Sequence, residues 1–593
     1  MLLTLALIAC DGGPTKDSSG LGVDSGEDTA QPVDCDCAVE DLQTFYLDAD
    51  GDGHGDPDTP VEACEQPDYA VTTADDCDDL DPDSWEPATW YVDADGDGFG
   101  DAGLSTEACE QPSGHVADAS DCDDTDGSVF PGSAALDDPA TGQDGDCDGR
   151  VACSDADCDG QVDLVLGVYW TSAGGYCGDD QIFYGDGSDY SGIAAATLTN
   201  DCSWWQASAD LDQDGYVDLV TVVTTDDTMP RETNSHIYWG GASGFTDGDR
   251  SDLATTGPVR VLIEDLDLDG HEDLFFSEAS SYGNAGYSQD STIYWGDGFT
   301  SSTDLPTFGA WDAEAGDLDR DGYTDLVVCN YYDDSSAARW YEVPSAIFWG
   351  SSGGYSSADV TSLPTAGCRD LAIVDLDQDG LDDLVFANSQ DNTGAWQIDS
   401  TIYWNTATGF SSAETTSLPT SWTHGLAVGD FDGDGWPDLA FGSFYGDLGY
   451  DHPAYVYWNS GGTFASSDVT ELEGHASYGL EAADLDGDGA DELIVPGAWS
   501  DSDGQSTTSR VHWGGAHGFC GTDELPTDAP GQVSVGDLDA DGLPELLFPA
   551  PYGGGASTIF WGTTGGYSAS DSSELGGAEG SWAAPLILGD AAW

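Results

Sequence analysis

The sequence predicts an all-β protein, a β-propeller of eight blades with seven as the alternative count, and three observations carry that expectation. A nine-residue acidic pattern, DxDxDGxx(D/E), returns eight times at intervals of 52 to 58 residues. An aromatic segment of one type follows each copy. The last apolar segment of the chain matches a strand that the first repeat lacks.

The acidic copies begin at Asp155, Asp210, Asp265, Asp317, Asp375, Asp430, Asp484 and Asp537. A period so steady means one supersecondary unit per repeat, stacked or set in a ring. A short apolar segment precedes each loop, as Gly425-Leu-Ala-Val-Gly precedes Asp430, and another follows it, as in Asp438-Leu-Ala-Phe. A third segment reads IFYG, IYWG, IYWG, IFWG, IYWN, VYWN, VHWG and IFWG in turn, and a fourth begins at a GF, GY or TF turn with a Ser-rich edge. Four short strands in about 55 residues is the size of a propeller blade. Repeat one has only Val151-Ala152-Cys153-Ser154 ahead of its loop, whereas the terminus reads Pro585-Leu-Ile-Leu-Gly-Asp590. The terminal segment is therefore expected to complete the first blade and close the ring, which removes an exposed sheet edge.

Composition sets the function classes. Nine Lys plus Arg against 116 Asp plus Glu give a net charge of -107 over 593 residues, which repels phosphates and anionic lipid headgroups. Nucleic acid and membrane-surface partners are excluded. The 20 Trp, 25 Tyr and 19 Phe supply apolar surface for a core despite the acidity. The opening run, MLLTLALIAC, resembles a bacterial lipoprotein signal covering residues 1–9, with Cys10 as the lipidated residue. That resemblance implies an extracytoplasmic protein on the bacterial outer surface or in the periplasm, with a secreted protein as the alternative. No later stretch reaches the roughly 20 apolar residues that cross a bilayer, so the lipid would be the membrane attachment. Residues 10–43 are rich in Gly, Ser, Thr, Asp and Pro and read as a flexible acidic linker. The other fourteen cysteines are an even number, and Cys64 with Cys77 and Cys109 with Cys122 repeat one spacing. Disulfides and an oxidising compartment are expected, with connectivity open. Zinc is disfavoured because no CxxC pair faces a second such pair or a His pair.

Residues 44–150 hold a duplicated unit: FYLDADGDGHGD from Phe45, ACEQP and DDCDDLDPD, then WYVDADGDGFGD from Trp90, ACEQP and SDCDDTDGS. It resembles the metal-binding repeat of bacterial surface proteins and, more distantly, thrombospondin type 3 repeats. Residues 151–593 resemble the FG-GAP or VCBS repeats of integrin-α-type propellers, departing only in Glu492 and Glu545, where the other repeats carry Asp.

Oxygen ligands at alternate positions, beside a Gly that permits a sharp turn, let a short loop wrap a hard cation, and calcium is the expected cofactor. The candidate ligands are Asp155, Asp157, Asp159 and Asp163; Asp210, Asp212, Asp214 and Asp218; Asp265, Asp267, Asp269 and Asp273; Asp317, Asp319, Asp321 and Asp325. The later repeats add Asp375, Asp377, Asp379 and Asp383; Asp430, Asp432, Asp434 and Asp438; Asp484, Asp486, Asp488 and Glu492; Asp537, Asp539, Asp541 and Glu545. In the N-terminal unit they are Asp48, Asp50, Asp52 and Asp56, then Asp93, Asp95, Asp97 and Asp101. An EF-hand would need Glu at position twelve, where these repeats carry Leu166, Thr221, Phe276, Val328, Phe386, Phe441, Val495 or Phe548. Carboxylates about 4 Å apart repel by roughly 1 kcal/mol per pair in water and about 4 at an effective dielectric of 20. Calcium is therefore read as structural.

In an up-and-down blade the calcium turns lie on one face of the ring and the second and fourth turns on the other. The second turns are irregular and aromatic, and Trp340, Trp396 and Trp499 are the candidate ligand-binding residues, for a glycan or a protein. Packing between blades is the competing role for these rings. A monomeric binding or adhesion protein is the expectation, with a surface spacer or calcium-rich coat as the alternative and a propeller-containing hydrolase or lyase behind both. No catalytic residues are assigned. The nine His are scattered, and the single GxSxG string, Gly350-Ser351-Ser352-Gly353-Gly354, falls in a turn after a third strand.

Overall fold

The computed structural model describes residues 43–589 apart from scattered loop positions, the longest omitted stretches being 78–87, 132–146, 169–177, 225–231, 280–289, 334–340 and 576–584. The expected signal, Cys10 and nearly all of the linker lie outside the described residues, as does Trp340. The chain divides into two compact units, residues 1–137 with 144–150 and residues 138–143 with 151–593. Among the described residues there is no helix.

The N-terminal unit carries two three-stranded sheets, one per duplicated segment. Gln43–Leu47 lies between Pro60–Ala63 and Ala70–Val71, and Ala88–Val92 lies between Asp101–Ala108 and His115–Val116. Small sheets of this kind bury little apolar surface, and a disulfide joins Cys122 to Cys147. Cys122 thus does not pair with Cys109, thirteen residues before it.

The second unit holds eight four-stranded antiparallel sheets among its described residues, one per acidic loop. In the fifth the strands run in sequence order: Cys368–Val374, Asp383–Asn388, Gln397–Tyr403 and Thr415–Ser421. The first sheet differs, because Leu586–Leu588 from the end of the chain pairs antiparallel with Asp163–Leu166 ahead of Asp180–Phe183 and Ala196–Leu198. First strands of successive sheets touch one another round the unit, and Leu586–Leu588 touches both Ser534–Gly536 and Ser203–Ala209. They form an inner ring.

Burial explains the sequence pattern. Second strands such as Asp383–Asn388 are buried at every position, because sheets pack on both their faces, so they read as continuous apolar runs. Eight apolar clusters lie between neighbouring sheets, and one joins the last sheet to the first through Leu547, Ile559 and Leu575 against Leu164, Leu166 and Phe183. Each such side chain contributes about 1.5–3 kcal/mol by leaving water. The Trp of the third segment has a separate role. Trp239, Trp295, Trp349, Trp404, Trp458 and Trp561 each donate their indole N–H to a Ser or Thr hydroxyl of the fourth strand at 2.9–3.0 Å. A half-buried indole thereby seats the outermost strand.

First strands carry a bulge near their start, at Trp204, Val259, Trp311, Arg369 and His424 in sheets two to six. Two disulfides lie among the described residues of this unit. Cys153–Cys158 braces the first acidic loop, and Cys329–Cys368 ties a second strand of sheet four to the first strand of sheet five. Cys520 is free and exposed, against the expectation that the even set pairs throughout. Its Sγ lies 3.4 Å from the carbonyl of Gly514, in the turn between the third and fourth strands of repeat seven.

Candidate metal centres and an aromatic face

Each acidic loop links a first strand to a second, and its carboxylates first hold their own backbone. In the fifth repeat Asp375 accepts from the N–H groups of Asp379 at 3.1 Å and Gly380 at 2.8 Å. Asp377 also accepts from Asp379, at 3.1 Å, and Asp379 accepts from Leu381 at 2.8 Å. Position four turns left-handed, as Cys158, Gln213, Leu268, Arg320, Gln378, Gly433, Gly487 and Ala540, with φ of 54–73°. Position six, with φ of 79–91°, is Gly in all eight repeats because a side chain there would be strained.

The ninth position differs in kind. Asp163, Asp218, Asp273, Asp325, Asp383, Asp438, Glu492 and Glu545 open the second strands and are at most 1% exposed. One oxygen of Asp383 accepts from the N–H of Leu376 inside the loop at 3.2 Å. The other accepts from the N–H of Asn405, just past the third strand, at 2.7 Å. The second of these bonds recurs in every repeat, with Gly185, Gly240, Gly296, Gly350, Asn405, Asn459, Gly514 and Gly562 as donors. The last letter of IYWG is therefore part of the site. Where it is Gly, a Cβ would stand 2.2–2.6 Å from the carbonyl of position eight, as at Gly240 and Gly562. Where it is Asn, the side chains of Asn405 and Asn459 reach back to the carbonyls of Leu318 and Leu376 in the preceding loop, at 2.9 and 2.8 Å.

Electrostatics disfavours the charged form of these carboxylates. Burial, helped by neighbouring carboxylates, pushes Asp163, Asp218, Asp383, Asp438, Glu492 and Glu545 up to about 7. The same causes push Asp273 and Asp325 up to about 6. Carboxylate atoms of Asp155, Asp157 and Asp163 lie within 4.8 Å of one another, as do those of Asp210, Asp212 and Asp218. One oxygen of Asp157 is buried with no hydrogen-bond partner. An oxygen-only donor set with such an orphan fits a hard divalent cation and not a thiophilic one. Position five faces outward and caps the N–H of position seven, as Asp379 does.

In the N-terminal unit Asp48, Asp50 and Asp52 meet in one group, while Asp93, Asp95 and Asp124 form a second and Asp95, Asp97 and Asp121 a third. Asp52, Asp95, Asp97 and Asp121 each bury an oxygen that has no hydrogen-bond partner. Asp121 and Asp124 come from the SDCDD segment, which the loop pattern alone does not flag. Their signal was its repetition after each loop. Asp101 turns one oxygen to the N–H of Gly103 at 2.7 Å, and the backbone of Asp56 pairs with Leu47 at 2.9 Å.

At the opposite ends of sheets four to seven lie the aromatics. Trp396 packs on Trp422 at 4.9 Å and on Tyr445 at 5.1 Å between ring centres. Tyr445 meets Tyr450 at 4.9 Å, and Tyr450 meets Trp499 at 6.0 Å. Two of the candidate rings therefore belong to one network. Trp396 is 39% exposed, whereas Tyr331 and Tyr332 are 8% and 3% exposed and serve as packing.

Comparison with known proteins bears on this arrangement. An FG-GAP-like repeat model matches residues 265–328, 375–441 and 444–495. Integrin alpha-5 of Xenopus laevis is 27% identical over 183 residues, which is 28% of this chain and 17% of the integrin, so the chain spans about a sixth of that relative. Among solved structures, an Agrocybe aegerita lectin specific for terminal N-acetylglucosamine aligns over 63% of this chain and 92% of its own, at 12% identity and a TM-score of 0.34. Saccharomyces cerevisiae Sqt1 aligns over 62% and 87%, at 10% identity and a TM-score of 0.39. The Dos1 propeller aligns over 61% and 82%, at 9% identity and a TM-score of 0.38.

Proposed function

We propose that this FG-GAP-repeat propeller is a calcium-stabilised extracytoplasmic binding protein that recognises a glycan or protein partner through the face opposite its acidic loops. The observation that carries the reading is the Trp396, Trp422, Tyr445, Tyr450 and Trp499 network, which ends in an exposed indole and joins the irregular turns of three consecutive repeats. Flat apolar rings beside polar turns suit sugar rings and protein side chains alike. Calcium is favoured by the all-oxygen loops and their buried orphan oxygens, and an extracellular or periplasmic site by the disulfides.

The test is a glycan array and a pull-down with calcium-loaded protein, repeated with Trp396→Ala and Trp499→Ala. Loss of the captured partner with an unchanged calcium-dependent melt supports the reading. Normal capture by both variants refutes it. Calcium-dependent rigidity with no captured ligand would favour a surface spacer, which the acidity and the N-terminal repeats also suit.

A further inference from the structure

Of the five described arginines, three are paired: Arg250 with Asp252 at 3.1 Å, Arg260 with Asp312 at 2.6 Å, and Arg510 with Glu473 at 3.0 Å. Arg320 is exposed in the fourth acidic loop. Arg369 is different. It is 7% exposed, yet its guanidinium has no carboxylate or other hydrogen-bond partner among the described residues, and its Nε is buried and orphaned. This occurs in a chain with 116 acidic residues. Its neighbour Asp370 turns instead to Arg260, at 3.4 Å.

The bulge at the start of the first strand of sheet five places Arg369 on the aromatic face. The guanidinium carbon lies 3.8 Å from the Trp311 ring centre and 3.6 Å from that of Tyr331. Rings that hold a guanidinium by its face leave its in-plane N–H fork unused, the geometry that takes a carboxylate in two parallel bonds. Tyr331 also reaches Gln390, its hydroxyl donating to Oε1 at 3.3 Å, and Gln390 opens the turn that carries Trp396. We infer that Arg369 is the anchor for a carboxylate on the ligand, and that the ligand is an acidic sugar at the end of an otherwise neutral glycan.

This inference rests on the proposed recognition face and names its ligand class. The net charge of -107 repels a polyanionic chain, whether an acidic peptide or a polyuronate, while a single carboxylate on a neutral hydroxylated ring avoids most of that penalty. Pyranose faces also stack on indoles, and Trp396 offers one.

The experiment compares methyl β-glucuronide with methyl β-glucoside by ligand-observed NMR titration on the full calcium-loaded chain. The glucuronide is expected to bind about tenfold or more tighter. Arg369→Gln should erase that preference, and Arg369→Lys, which keeps the charge without the fork, should reduce it severalfold. The Lys variant carries the test if Arg369→Gln fails to melt cooperatively. Equal affinity for the two sugars, no binding of either, or a preference that survives both variants overturns the inference. So does tighter, Arg369-dependent binding of N-acetylglutamate methylamide, which would assign the site to a peptide. If Trp396→Ala abolishes binding while Arg369→Gln leaves the preference intact, the recognition face stands and the anchor falls; if neither variant changes anything, both fall.

Discussion

Replacing Asp383 by Asn changes one atom and tests the ninth position directly. The carboxylate is 1% exposed and accepts two backbone N–H groups, from Leu376 at 3.2 Å and Asn405 at 2.7 Å. An amide can offer an oxygen to only one of them, and its NH2 then faces the other donor. An unpaired buried donor costs about 1–3 kcal/mol, and that loss should be present without calcium. A site with a dissociation constant of about 0.1 mM in roughly 1 mM calcium adds about 1.4 kcal/mol of linkage, which the variant forfeits in calcium only. Urea unfolding followed by circular dichroism in calcium and in chelator separates the two terms. The control is Asp379→Asn, whose exposed carboxylate holds only the N–H of Leu381, at 2.8 Å; its loss in chelator should stay below about 1 kcal/mol. An Asp383→Asn loss identical in calcium and chelator would show that the ninth position is not a ligand. A smaller loss than that of Asp379→Asn in chelator would remove its role as the link to the third strand.

Three further outcomes are expected. Glu278, 3% exposed, is pushed up to about 8 by burial and then by Asp304 and Asp290, so the folded state holds its proton more tightly than the unfolded chain. Its contribution is complete below about pH 4.5 and is lost as pH rises through 8, so Glu278→Gln should gain on the parent between pH 5.5 and 8.5; parallel melts across that range would sink the argument. Replacing Cys329 and Cys368 by Ala opens a 39-residue loop and should cost about 4 kcal/mol in chemical unfolding, whereas a loss under about 1 kcal/mol would show that the closure hardly constrains the unfolded chain. Deleting residues 586–593 leaves Asp163–Leu166 without its inner neighbour and should lower the melting temperature and enlarge the elution volume spread; an unchanged melt and elution would refute closure by that strand.

Much of this architecture is legible in the sequence, because each loop has a local cause. Gly380 needs its left-handed φ, the carboxylates at positions one, three and five answer N–H groups two to five residues away, and Asp438-Leu-Ala-Phe is apolar because sheets cover both its faces. Leu586–Leu588 could be matched to repeat one for the same reason, since a missing element in a strict period has one place to go. The bond from Asp383 to Asn405 spans 22 residues and two strands, so nothing in the loop announces it. The recurring Gly or Asn after each third strand was its trace. Arg369 was hidden by its bulge, which breaks the period-two alternation that assigns side chains to faces. Tyr331 and Tyr332 sit in an irregular turn, where a sequence pattern places surface residues, yet both pack inward.

The strand Leu586–Leu588 also sets a clock on the chain's folding. Its sheet has its other three strands between residues 163 and 198, so the beginning and end of the propeller reach their partners together. Synthesis at about 5–20 residues per second needs roughly 20 to 80 s to travel from one to the other. Throughout that interval Asp163–Leu166, apolar after its first residue, presents an unpaired edge to any neighbouring chain. The acidity of the chain keeps copies of the unfinished protein apart during the wait, so the carboxylates that crowd the loops also shield the ring before it can close.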